Sequence, residues 1–190
     1  MKISSVMNIM KKSQTIYCGM ADDVQWISAG NAAYNINPLP ELNEEQVIAM
    51  MGVSGKKSAE YTVYPLNETI MHLLDRSRHT EKVIDRGMIT LCINGNEYEP
   101  VIINNRVYFI DVRYYKPFDG VEWDISAWVD KGSGEVIIAV KAGFLVLGYI
   151  APTNVKAEYV AMDLALITET LKRQKELDAE AEYEEDEEED

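Results

Sequence analysis

Val24-Gln25-Trp26-Ile27-Ser28-Ala29-Gly30-Asn31-Ala32-Ala33-Tyr34-Asn35-Ile36 and Val136-Ile137-Ile138-Ala139-Val140-Lys141-Ala142-Gly143-Phe144-Leu145-Val146-Leu147-Gly148-Tyr149-Ile150 are two stretches of one kind near opposite ends of the chain. Both are rich in β-branched and aromatic residues, and both are interrupted once by an Ala-Gly pair. That pattern reads as a hairpin, bent at Ala29-Gly30-Asn31 in the first and at Ala142-Gly143 in the second. Working outward, the first hairpin follows a strand over Thr15 to Met20 and a helix that Ser4 or Ser5 caps, with Ile3, Val6, Met7 and Met10 on one face. The second follows an alternating strand from Val121 to Val129 and a short helical turn within Asp111 to Phe118, stopped near Pro117. Helix, strand and hairpin therefore occur twice, in the same order.

Between the repeats the signals are shorter. Asn43 with Gln46 three residues on is a capping-box signature for a helix over Glu44 to Met51, with Gly52 as its C-terminal stop. A polar loop, Ser54 to Ser58, leads to an alternating run from Ala59 to Tyr64, and Asn67 caps a helix with Ile70, Met71, Leu73 and Leu74 inward. Arg76 to Glu81 reads as a polar break. Asn94-Gly95 between Met88 to Ile93 and Glu97 to Ile102 is the clearest hairpin, because both central residues of such a turn need positive φ. Asn104-Asn105 is a second turn of that kind, and Asp22-Asp23 sits at another. A last helix is expected from about Asn154 into the 170s, with Tyr159, Val160, Leu164, Ile167 and Leu171 on one broad face.

The whole chain is 190 residues with 47% hydrophobic content and a net charge of −14. Residues 176–190 hold 11 acidic and no basic side chains, which leaves 18 basic against 21 acidic in residues 1–175. The expected organisation is one α+β domain over 1–175 and a disordered acidic tail over 176–190. Such a balance disfavours a nucleic-acid-coating protein and a polycationic membrane binder. The longest apolar stretch, Phe144 to Ala151, falls far short of the roughly 20 residues a membrane helix needs. With no leader pattern and only Cys18 and Cys92, read as two buried thiols, the expectation is a cytoplasmic protein with no membrane partner.

No constellation for catalysis emerges. His72 and His79 are the only histidines, the former read as a core or boundary residue and the latter as part of a polar loop. Gly52-Val53-Ser54-Gly55-Lys56-Lys57 lacks the four-residue gap and the hydroxyl of a phosphate loop. Glu122 and Asp124 alternate on one strand and read as its solvated face. No catalytic residue, cofactor or metal site is expected; enzyme status stays open, a non-enzyme being the favoured reading and an enzyme, which needs a cleft with a convergent polar cluster, the third. The basic residues Lys56, Lys57, Arg76, Arg78, Lys82 and Arg86 cluster in the middle third and are the candidate nucleic-acid contacts, against the plainer reading of charges on solvated loops. Trp123 and Trp128 have opposite parity on their strand, and so do the adjacent Tyr114 and Tyr115. At least one of each pair points away from the core unless that face is covered, which makes the four candidate protein-interface residues.

The fold class expected is an antiparallel sheet with helices on one face, two halves related by a pseudo-two-fold axis, and a C-terminal helix. Val107-Tyr108-Phe109-Ile110-Asp111-Val112-Arg113-Tyr114-Tyr115-Lys116-Pro117-Phe118, an acidic alternating strand and then Val136 to Pro152 resemble the closing half of a sliding-clamp domain, the processivity factor of DNA polymerases. Ala151-Pro152 stands where such domains end in Met-Pro. The N-terminal helix, strand and first hairpin resemble the opening half. The chain as a whole is similar to proteins of phages and prophages of Firmicutes, through Val24-Gln25-Trp26-Ile27-Ser28, Leu39-Pro40 and Val140-Lys141-Ala142-Gly143. The resemblance implies a non-enzymatic phage binding protein acting through protein or DNA contacts in replication or its control, with a protein partner, DNA and self-association as its possible contacts. A ring needs several such domains, and this chain has room for about one. The alternative is an acidic phage inhibitor, a nucleic-acid mimic or anti-defence protein that binds a host protein.

Overall fold

The structure is a computed structural model, and it describes residues 1–37, 39–84, 89–93, 95–153 and 172–173. Three α-helices are seen among them, α1 (Ile3–Ser13), α2 (Glu44–Met50) and α3 (Glu68–Leu74), and three 3-10 helices, η1 (Gly55–Glu60), η2 (Arg76–Arg78) and η3 (Val112–Phe118). Strands β1 (Thr15–Ala21), β2 (Val24–Ala29), β3 (Ala32–Asn35), β4 (Thr62–Pro65), β5 (His79–Val83), β9 (Asp124–Asp130), β10 (Val136–Ala142) and β11 (Leu145–Ile150) form one sheet in the order β4-β1-β2-β3-β11-β10-β9-β5. Strands β6 (Leu91–Ile93), β7 (Asn96–Ile103) and β8 (Arg106–Asp111) form a second sheet of three. The protein is an α+β fold in which every neighbouring pair of strands is antiparallel except β1 and β4.

The centre of the large sheet carries the repeat. β1-β2-β3 is one meander and β9-β10-β11 another, and their last strands pair antiparallel, Tyr34 opposite Gly148 and Ala32 opposite Ile150. α1 precedes the first meander and η3 the second. Both hairpin turns have two residues with glycine first, Gly30 at φ +62° and Gly143 at φ +57°. A positive φ at that position alone is the mark of a type II′ turn, whose twist matches the flanking strands. The Asp22-Asp23 and Asn104-Asn105 turns instead have positive φ at both positions, the I′ pattern.

One face of the sheet holds the larger core. Ile16, Ile27, Tyr34, Ile125, Ile138, Val140 and Ile150 point toward Val6, Ile9 and Met10 of α1, Val47 and Met51 of α2, and Tyr114, Tyr115 and Phe118 of η3. The residues that alternate with them, Trp26, Ala33, Trp128, Ile137, Ala139 and Tyr149, point to the opposite face. The helix expected after Asn67 lies there, with Leu74 buried and Ile70 and Leu73 packed on this second cluster. Helices therefore flank both faces rather than one. Chain direction explains this: β4 and β5 sit at opposite edges of the sheet, and α3 with η2 is the crossing between them.

Other expectations shift. The polar break at Arg76 to Glu81 holds η2 and most of β5, which is edge-paired to β9 and so can carry polar residues on its outer side. The run from Ala59 becomes the end of η1 and the short β4, and the strand expected from Val121 begins at Asp124. Asn43 forms both bonds of its capping box, whereas no side chain caps α1, whose N-cap is Lys2. Cys18 is half-buried and Cys92 exposed, so neither is the fully buried thiol expected. The expected helix from about Asn154, apart from the helical Lys172 and Arg173, and the acidic run 176–190 lie outside the described residues, as does Arg86.

Candidate functional site: a cationic face on the paired helices

α1 has its buried residues at positions 6, 9 and 10, a spacing that leaves Lys2, Ser4, Asn8, Lys11 and Lys12 outward. Lys11 and Lys12 fall in the last turn, where cations complement the carbonyl end of the helix. η3 is opened by Asp111, whose carboxylate accepts the Arg113 backbone N–H at 3.1 Å and pairs with the Arg113 guanidinium at 2.9 Å. Tyr114, Tyr115, Pro117 and Phe118 are buried, which leaves Arg113 and Lys116 outward.

The two helices run in opposite directions along the same face. At one end the Lys2 backbone N–H donates to the Pro117 carbonyl at 2.6 Å, and the Lys2 ammonium lies 3.8 Å from Asp119. At the other end Lys12, Ser13, Arg113 and Tyr114 line a single small depression with Ile9 and Gly30. Three hydrogen bonds hold this end together, two of them, at Tyr114, between the halves and one, at Ser13, within the first half. Tyr114 Oη accepts the Asn31 N–H at 3.1 Å, Ser13 Oγ accepts the Gly30 N–H at 3.0 Å, and Tyr34 Oη donates to the Tyr114 carbonyl at 3.2 Å. Burial, reinforced by Tyr114 alongside, pushes the Tyr34 hydroxyl well above its usual pKa, so it stays a donor.

η1 adjoins the C-terminal end of α1 and lines a groove with Glu44 and Glu45 of α2. The Tyr61 hydroxyl donates to the Lys11 carbonyl at 3.2 Å, and the Thr62 N–H donates to the Gln14 carbonyl at 3.1 Å. Lys57 is four residues before Tyr61, about 8 Å at the rise of a 3-10 helix. Lys56 and Lys57 are both exposed. Among the described residues no carboxylate lies within ion-pair distance of Lys11, Lys12, Lys56, Lys57 or Lys116.

The six middle-third basic residues are not one patch. Lys56 and Lys57 precede β4, while Arg76, Arg78 and Lys82 belong to the β5 edge, seven strand spacings or on the order of 30 Å away. The second group is engaged locally. Arg76 stacks over the Trp128 ring at 5.4 Å, Arg78 meets Asp130 at 3.4 Å, and Lys82 donates to the Asn104 side chain. Nearby, Lys131 donates to the Ser77 carbonyl and Lys141 pairs with Glu81.

The aromatic candidates are placed differently from the expectation. Tyr114, Tyr115 and Trp128 are each 3% exposed, and Trp123 is half-buried against Tyr115 and Phe118. Trp128 does face away from the main core, but Tyr149 at 5.1 Å, His79 at 5.8 Å and Arg76 enclose it. Tyr114 and Tyr115 are both buried because a 3-10 helix, unlike a strand, does not send neighbours to opposite faces. Among the described residues the most exposed large apolar side chains lie elsewhere, at Phe144 and Leu145 of the β10–β11 turn and at Val83.

The two histidines have different surroundings. His72 is exposed rather than in the core, and His79 is buried in β5 with Nδ1 2.8 Å from the Asp75 carbonyl. Among the described residues no group of three or more His, Cys, Asp or Glu could hold a metal ion. The groove beside α3, about 270 Å³, is lined by Tyr17, Ala33, Ile70, Leu73, Ile137 and Tyr149 among others, with no ionisable group other than its two tyrosines. Among the described residues no helix is long and apolar enough to cross a membrane. No family model, curated protein or solved structure matches this chain.

Proposed function

We propose that the protein is a non-enzymatic binding protein, a clamp-like domain that contacts the nucleic-acid backbone through α1, η3 and η1 and serves replication or its control. The observation that carries this reading is the pairing of two opposed helices with outward Lys11, Lys12 and Lys116, and the tie of the Lys56- and Lys57-bearing η1 segment to the end of α1, none of these lysines being held by a carboxylate among the described residues. Cations without a carboxylate partner gain most from phosphates, because binding releases the counterions condensed on the polymer. A domain of this size closes a ring around a duplex only by self-association. The resemblance to sliding clamps and to phage and prophage proteins points the same way.

Titration of the full chain with labelled duplex DNA at 50 to 200 mM salt tests it. Five engaged lysines correspond to a log–log salt slope of about −4.5, or an affinity loss of about 500-fold across that range. Lys11→Gln, Lys12→Gln and Lys116→Gln together bring the slope to about −2. Arg76→Gln, Arg78→Gln and Lys82→Gln leave it within about one unit. A chain that stays monomeric at high concentration and binds no duplex at 50 mM salt removes the proposal. A second reading, an acidic inhibitor of a host protein, draws on the 11 carboxylates of residues 176–190; it requires that their deletion abolish partner capture.

A further inference from the structure

The cationic face and the acidic run are complementary parts of one chain. Five lysines on that face have no carboxylate partner among the described residues, while residues 176–190 carry 11 carboxylates and no cation. The chain also leaves the sheet beside this face. Thr153 pairs with β8 through its backbone N–H to the Phe109 carbonyl at 2.7 Å, and Phe109 is two residues before Asp111, the cap of η3. Residues 154–175 then separate Thr153 from the run. Twenty-two residues reach at most about 75 Å when extended and about 33 Å as a helix. α1 itself is about 16 Å long. The extended length is ample for the run to reach the face.

We propose that the acidic run 176–190 occupies the cationic face of α1, η3 and η1 within the same molecule and competes there with nucleic acid. The competing role rests on the nucleic-acid reading above; the contact itself does not. Side-chain carboxylates and DNA phosphates meet the same ammonium groups, so occupancy by one excludes the other. A segment tethered to its own binding surface has an effective concentration of about 1 mM. If its intrinsic affinity matches the weak end of non-specific polyanion binding, about 10⁻⁴ M, the apparent DNA affinity falls about tenfold. The effect is strongest at low salt, where both interactions are least screened.

Zero-length carbodiimide coupling of the full chain, without nucleic acid, reads the contact directly. Amide cross-links are expected from residues 176–190 to Lys11, Lys12, Lys56, Lys57 or Lys116, in a product of monomer mass. Cross-links confined to Lys82, Lys131, Lys141 or the neighbouring Lys172 and Lys175 overturn the proposal, and so do cross-links to the face found only in a product of dimer mass. In parallel, a full chain with its 11 run carboxylates exchanged for Gln and Asn binds labelled duplex about tenfold tighter at 50 mM salt. A change under twofold, with binding intact in both chains, overturns the competition. If neither chain binds DNA while the intramolecular cross-links form, the contact stands and the nucleic-acid reading falls.

Discussion

Replacing Gly148 with alanine places a Cβ 2.7 Å from Phe118 Cζ and 2.8 Å from the Ala33 carbonyl oxygen. Gly148 sits where the two meanders join, opposite Tyr34 on one side and Val140 on the other. The ring it admits, Phe118, is fully buried between Tyr34 at 5.7 Å and Trp123 at 6.0 Å. The ring can tilt to relieve the first contact, but the second is to backbone, so β3 and β11 must part. Overpacking of this kind costs about 1–3 kcal/mol, and the backbone contact puts Gly148→Ala near the upper end, about 2–3 kcal/mol. With a urea m-value of about 2 kcal/mol/M, the unfolding midpoint falls by about 1–1.5 M. Phe118→Leu shortens the ring, and in a double-mutant cycle the pair couples by about 1 kcal/mol, the double mutant being less destabilised than the sum of the singles. Urea unfolding followed by tryptophan fluorescence measures all four proteins. An unchanged midpoint for Gly148→Ala, or a coupling near zero, refutes the packing of η3 across the join of the two meanders.

Trp128→Ala removes a ring enclosed by Tyr149, His79 and Arg76, and a loss of about 3–5 kcal/mol is expected in the same urea assay; a side chain serving only as an exposed partner anchor would leave the midpoint in place. Asp130 is held below the usual carboxylate range by the backbone N–H groups of Ser133 and Gly132, then by the Ser133 hydroxyl and Arg78. Its folded pKa lies below its unfolded one, so its contribution is complete above the unfolded value near 4 and disappears as pH falls through the folded value. Asp130→Asn therefore lowers Tm at pH 7, and the gap to the parent narrows by pH 3 in thermal melts; a gap equal at both pH values contradicts the assignment.

The halves of the fold were legible because their turns are chemically exacting. A two-residue turn with positive φ at its first position selects glycine, and Gly30 and Gly143 mark it in both hairpins. Asn43 announced α2 in the same way, through a side chain that can reach only the backbone three residues on. Edges were less legible. β5 has one free side and carries His79, Thr80, Glu81 and Lys82 at the margin of the sheet, so neither alternation nor hydrophobicity flags it as a strand. Missing β5 also hid the crossing by α3, and with it the cover over Trp128.

The cationic face was hidden for a different reason. Its signal was present, since residues 1–21 hold Lys2, Lys11 and Lys12 and no acidic side chain. Density along the chain nevertheless drew attention to the middle third, whose basic residues divide between opposite edges of the sheet. Lys12 and Arg113 line one depression only because the β3–β11 pairing joins the two meanders and brings their helices together. Charge counted along a sequence cannot show that kind of adjacency; a topology can.

Amine footprinting of the full chain with and without duplex DNA tests the face most directly. A lysine-reactive reagent at low salt, read by mass spectrometry, reports each side chain separately. The expected result is protection of Lys11, Lys12, Lys116, Lys56 and Lys57 on adding DNA, with Lys82, Lys131 and Lys141 reacting as before. Protection confined to the β5 edge, or no protection under conditions where DNA is bound, contradicts the account.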